Sequence, residues 1–161
     1  MRSILVCALA LALAGCSGPP PTPPEPGTDR KAVPVRHDPP ADLSAKFPVK
    51  DRTEIKLVPD NLLGKPLLPG GNIATYSPRA GNSYQMFLIK LKDGQAAAVL
   101  LFDLKGTLAT FKFLPQFGGY YGMDGSTPLF IFQKGPYLAG ISGLPEAEAD
   151  LVARAFAARL N

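Results

Sequence analysis

A chain of 161 residues with one histidine and two cysteines has few side chains able to do covalent chemistry, so where they sit decides how far that chemistry reaches. Cys7 lies inside an apolar run, and Cys16 and His37 lie near the amino terminus, so the stretch from Lys46 to Asn161 holds neither thiol nor imidazole. A nucleophile is weak without a base beside it, and no histidine is there to serve. "GISG" (Gly140 to Gly143) puts its second glycine one position early for a nucleophile elbow. "GKPLLPGG" lacks the Gly-Lys-Ser/Thr ending of a phosphate loop, and "LPGG" is followed by neither the hydrophobic tail nor the basic end of a sortase signal. Paired carboxylates cleave glycosidic bonds without histidine, and Asp103 and Asp124 are the candidates near turn glycines. Both positions also suit aspartates that simply form turns. With one cysteine left once a leader is removed, neither an internal disulfide nor a zinc site built on cysteine pairs is expected. The expectation is a protein with no catalytic residues, no metal and no cofactor.

Cys16 stands where two unlike segments meet. Arg2 is followed by a nearly unbroken apolar run from Ile4 to Ala14, then by small residues, which is the layout of a secretory signal and too short to span a bilayer. Leu13-Ala14-Gly15-Cys16 resembles the lipobox of bacterial lipoprotein precursors, a likeness confined to the first 16 residues. The resemblance implies cleavage before Cys16, a diacylglycerol on its thiol and acylation, palmitate included, of the new amino terminus. Two or more buried chains, at about 0.8 kcal/mol per methylene, would hold the protein stably on a membrane. The other reading is an ordinary secretory signal, or an uncleaved anchor, with a chance cysteine. Ser17 is not the aspartate of the inner-membrane retention signal, so the expected address is the cell envelope, at the outer membrane if the host has one.

From Ser17 to Ala45 prolines cluster and large apolar side chains are scarce, so the segment cannot bury enough surface to order itself. It reads as a semi-rigid, extended stalk; "PPPTPPEP" would also suit a proline-recognising groove. The division is therefore a signal peptide at 1–15, the lipidated cysteine and stalk at 16–45, and one globular domain at 46–161. A net charge of +4, without a dense Lys/Arg stripe, gives no support for nucleic-acid binding.

The elements of the domain read as α+β: a mostly antiparallel β-meander covered by one C-terminal helix. "TEIKLV", "NIATY" and "YQMFLIKL" are predicted strands. "KDGQ" is predicted to turn the last of these into a second strand, "AAAVLLF" (Ala96 to Phe102), apolar on both faces and so central. "TLATFKF" continues as a third strand, or as a short helix. "PLFIF" and "YLAGI" flank "QKGP" as another hairpin. "PEAEADLVARAFAARL" has acidic residues early and arginines late, as the helix dipole favours, and Ala147, Leu151 and Ala155, flanked by Val152 and Phe156, form its expected apolar face. The segment from "GGYYGMDGS" through this helix is loosely similar to the closing strand pair and helix of uncharacterised secreted bacterial domains.

One loop stands out. "FLPQFGGYYGMDGS" places Phe117, Tyr120, Tyr121 and Met123 in a glycine-interrupted connection. It either folds back over the open end of the sheet or exposes a candidate recognition surface, since tyrosine gives contact area at low entropic cost. The expected role is a membrane-anchored binding or accessory module contacting an envelope protein or cell-wall glycan. The alternatives are an envelope hydrolase using Asp103 or Asp124, and a purely structural lipoprotein. Cys16→Ser should release the chain from washed membranes while leaving the domain folded, as read by fractionation and circular dichroism. Membrane association that survives this change and a high-salt wash would end the lipobox reading.

Overall fold

A computed structural model describes residues 39–161, which belong to one compact unit. Cys16, His37, the expected signal peptide and most of the expected stalk lie outside the described residues. Seven strands form one antiparallel sheet: β1 (Arg52–Asp60), β2 (Pro69–Tyr76), β3 (Tyr84–Lys90), β4 (Thr110–Leu114), β5 (Gly119–Asp124), β6 (Thr127–Lys134) and β7 (Tyr137–Ser142). Their spatial order is β1-β2-β3-β7-β6-β5-β4. Helix α1 (Gly94–Gly106) leaves β3, and α2 (Glu146–Ala157) follows β7.

The α+β class and antiparallel pairing hold, but the sheet carries two helices. The stretch expected as a second central strand is α1. Asp93 does not turn a hairpin; its carboxylate accepts the amide of Ala96 at 2.8 Å and caps the helix. The following residues, Gln-Ala-Ala-Ala-Val-Leu-Leu, are mostly strong helix formers with one β-branched member, so local propensity agrees with the cap. Because α1 intervenes, β3 pairs with β7 instead of its successor, and the sheet consists of two meanders, β1 to β3 and β4 to β7, joined at β3–β7.

Strand alternation sorts the core onto two faces. Phe87, Ile89, Leu129, Ile131 and Leu138 join Leu101 and Leu104 of α1 on one face. Met86, Leu88, Phe130, Phe132, Ala139 and Ile141 join Ala149, Ala153 and Phe156 of α2 on the other. Strands covered on both sides read as the continuous apolar runs "MFLI" and "LFIF". Both helices lie over the same pair of strands, β6 and β7. Gly140 of β7 sits opposite Phe87 of β3, whose ring occupies the place a Cβ would take.

Part of the expected stalk is folded onto this frame. Phe47 is fully buried against Phe156, with ring centroids 5.2 Å apart. The one buried polar side chain among the described residues, Asn72 of β2, accepts the amide of Leu43 at 2.9 Å. Tyr76 Oη donates to the carbonyl of Pro48 at 2.9 Å and its ring stacks on Tyr84; burial pushes this phenol up to about 12. At the far end of α2, Arg159 donates to the carbonyl of Lys46 while Lys46 Nζ donates to that of Asn161. Packing onto the sheet thus includes Leu43, ahead of the boundary expected at Lys46.

The buried face of α2 differs from the expected one by a rotation. Ala149, Ala153, Phe156 and then Leu160 face the sheet, whereas Ala147 and Ala155 are exposed and Leu151 is 70% exposed. Alanine and leucine on several sides of the helix left its phase undecided; the bulk of Phe156 settles it. Phe156→Ala should destabilise the domain by about 3–5 kcal/mol and Leu151→Ala by less than about 0.5 kcal/mol, measured by denaturant unfolding. Equal effects at the two positions would refute this packing.

Candidate functional site

Helix α1 is apolar on more sides than the sheet can cover. Ala97, Leu101 and Leu104 point into the core. On one flank, Ala96, Val99, Leu100 and Asp103 wall an open groove of about 760 Å³, closed on its other sides by residues that include Pro39, Pro40, Leu67 and Leu91. Lys90 and Lys92 stand on the groove as well. On the opposite flank, Phe102 and Lys105 lean toward the end of the sheet, where Phe111 and Phe113 of β4 lie beside Tyr120 of β5.

These aromatics make one surface. Phe111 meets Tyr120 edge-on at 5.8 Å between centroids, and Phe113 lies at 5.5 Å from the same ring. The Lys105 ammonium sits 4.0 Å from the Phe102 centroid, 5.0 Å from that of Phe111 and 5.5 Å from that of Tyr120. Phe102 is 62% exposed, and Phe111 and Phe113 each 52%. Scattered exposed apolar residues are ordinary; a contiguous group around one cation on a helix and its neighbouring strand is the kind of patch that binds something.

The four residues singled out from the sequence do not share one surface. Gly119–Asp124 is not a loop but strand β5, so Tyr120 and Tyr121 point to opposite faces. Tyr120 is half-buried and belongs to the exposed aromatic group. Tyr121 turns toward α2, where its hydroxyl donates to the carbonyl of Leu144 at 3.4 Å and its ring meets Phe130; burial raises its pKa, and Glu146 nearby adds to that. Phe117, in the β4–β5 turn, packs edge-on against Phe130 at 5.0 Å and under the guanidinium of Arg154. Met123 is half-buried on the Tyr121 side of the strand. Glycine makes the tight strand possible: at Gly122 a Cβ would run into the carbonyl of Thr110 on β4 and the side chain of Leu108.

Phe102, Phe111 and Phe113 escaped the sequence reading because two of them alternate in an obvious strand and the third was assigned to one. The signal that would have found them is helical spacing in "DGQAAAVLLFDLK", where three core residues at 97, 101 and 104 leave Val99 and Phe102 with nothing to cover them.

The two carboxylates considered for hydrolysis are not brought together. Asp103 is exposed on α1 and lines the groove, whereas Asp124 ends β5 and is held by Lys65 Nζ at 2.8 Å. Among the described residues no group of three or more His, Cys, Asp or Glu could hold a metal ion, and no helix is long and apolar enough to cross a membrane.

No protein-family model and no curated protein matches the chain. Among solved structures, the crystal structure of a GTP-binding regulator from Thermotoga maritima is similar to it with a TM-score of 0.51 at 13% sequence identity, covering 72% of this chain and 82% of that one. At that identity the likeness is one of fold.

The exposed aromatic group predicts a separation of stability from surface properties. Phe102→Ser should change unfolding free energy by less than about 1 kcal/mol, because the ring has little to lose but its contact with Lys105. The same change should clearly reduce fluorescence of an apolar dye bound to the folded protein, and an unchanged dye signal would place the sticky surface elsewhere.

Proposed function

We propose that this chain is a lipid-anchored envelope lipoprotein whose folded domain is a binding or accessory module, held off the membrane by a proline-rich stalk and contacting its target through the exposed side of α1 next to β4. The address rests on Leu13-Ala14-Gly15-Cys16, with Cys16 as the lipidated residue. The binding role rests on one observation above all: α1 spends three residues on the core and leaves Phe102 in solvent on the flank next to Phe111 and Phe113, and Val99 in solvent on its other flank. A helix that served packing alone would carry polar residues there. Tyr120 is the member of the sequence-predicted surface that joins this group; Phe117 and Tyr121 support it from the other face.

The target is an envelope protein or a cell-wall glycan, either of which suits rings flanked by a cation. The GTP binding named for the structural neighbour is not carried over, because "GKPLLPGG" has no phosphate-loop ending and the sequences are too far apart for a ligand to transfer. Separation of Asp103 from Asp124 leaves the hydrolase alternative without a shared site.

A photoreactive phenylalanine at position 102 in intact cells tests the reading, with Leu57 on β1, 48% exposed, as the control. The expected result is a discrete adduct from position 102 in the envelope fraction and none from position 57. No adduct from position 102 in a folded, membrane-associated protein would overturn it.

A further inference from the structure

Strand β4 ends the sheet, and among the described residues nothing lies beyond it. Thr110, Phe111, Lys112 and Phe113 are all exposed, so the outer row of backbone donors and acceptors is open to pairing. The sequence of this edge is close to a palindrome: Phe111-Lys112-Phe113, flanked by Thr110 and Leu114. A two-fold contact needs a surface that is complementary to itself, with residue i facing j and j facing i.

We propose that β4 is the contact between two copies of this chain, paired antiparallel about Lys112 so that the two sheets run on as one. In that register Phe111 faces Phe113 of the second copy, and the reverse, on the face that carries α1. Thr110 faces Leu114 and Lys112 faces its own counterpart. Directly opposed aromatic residues are among the favourable cross-strand pairs. Phe111 and Phe113 would then lose their water in the seam, while Phe102, on α1 inward of the β4 edge, stays open on each copy for the target proposed above.

Charge would ordinarily oppose such a contact, since two lysines meet at its centre. Here strand alternation sends Lys112 to the opposite face from the phenylalanines, where its ammonium is 2.8 Å from the Glu146 carboxylate. Each copy therefore brings its own counter-ion to the two-fold. The other edge, β1, has no comparable symmetry: its exposed stretch carries Glu54 and Lys56 paired with one another, and Leu57 stands alone as a large exposed apolar side chain. A five-residue edge with its flanking rings is smaller than a standard stable interface, so the association should be weak and concentration-dependent.

The contact is independent of lipidation and can be tested without it, on the full chain with Cys7→Ser and Cys16→Ser in mild detergent. Sedimentation should show a reversible dimer, weakened at least about tenfold by Phe111→Ser with Phe113→Ser. Under mild oxidation Lys112→Cys should give a covalent dimer, because residue 112 meets itself within disulfide reach, whereas Thr110→Cys should not. A chain that stays monomeric at every concentration, a dimer indifferent to the double serine variant, or equal crosslinking at both positions would overturn the proposal.

Discussion

The structure depends on strand β6 being buried twice. Leu129 and Ile131 meet α1 while Phe130 and Phe132 meet α2, so two helices from distant parts of the chain are held by one short segment. Neither helix would be stable alone at its length of 13 or 12 residues. Each is fixed by the strand pair β6–β7 beneath it, and that pair is made local by the tight turn at Gly135. The order of the sheet follows: with β7 next to β3, the first three strands dock onto the meander, and Phe87 lies across Gly140 at the seam.

Most strands were legible because their residues alternate or run apolar between turn glycines. What was not legible was α1, and the reason is physical. A helix apolar on nearly every side and a strand covered on both faces produce the same short apolar run, and Asp93-Gly94 is equally at home as a hairpin turn and as a helix start. Alanine content was the discriminating signal. The same ambiguity hid the candidate site, since Phe102 gains its meaning only when α1 is a helix beside β4. Tyr120 and Tyr121 are neighbours in sequence yet lie on opposite faces, because "GYYGMD" is a strand.

For function, the divided tyrosines are informative. One aromatic set, with Phe117 and Tyr121, is spent on holding β5 and the β4–β5 turn against α2; the other is left on the surface with Lys105 at its centre. A fold that already has two complete cores has no structural need for the second set. That surplus, more than any single residue, is what the proposed recognition role rests on.

The way the chain enters the domain has a mechanical consequence. Residues 43–48 are fastened to the middle and the end of β2 through Asn72 and Tyr76, to the core through Phe47 and to the end of α2 through Arg159. A pull on the amino-terminal side is therefore spread across a central strand and a helix terminus that must yield together, and it reaches the edge strand β1 only after those fastenings fail.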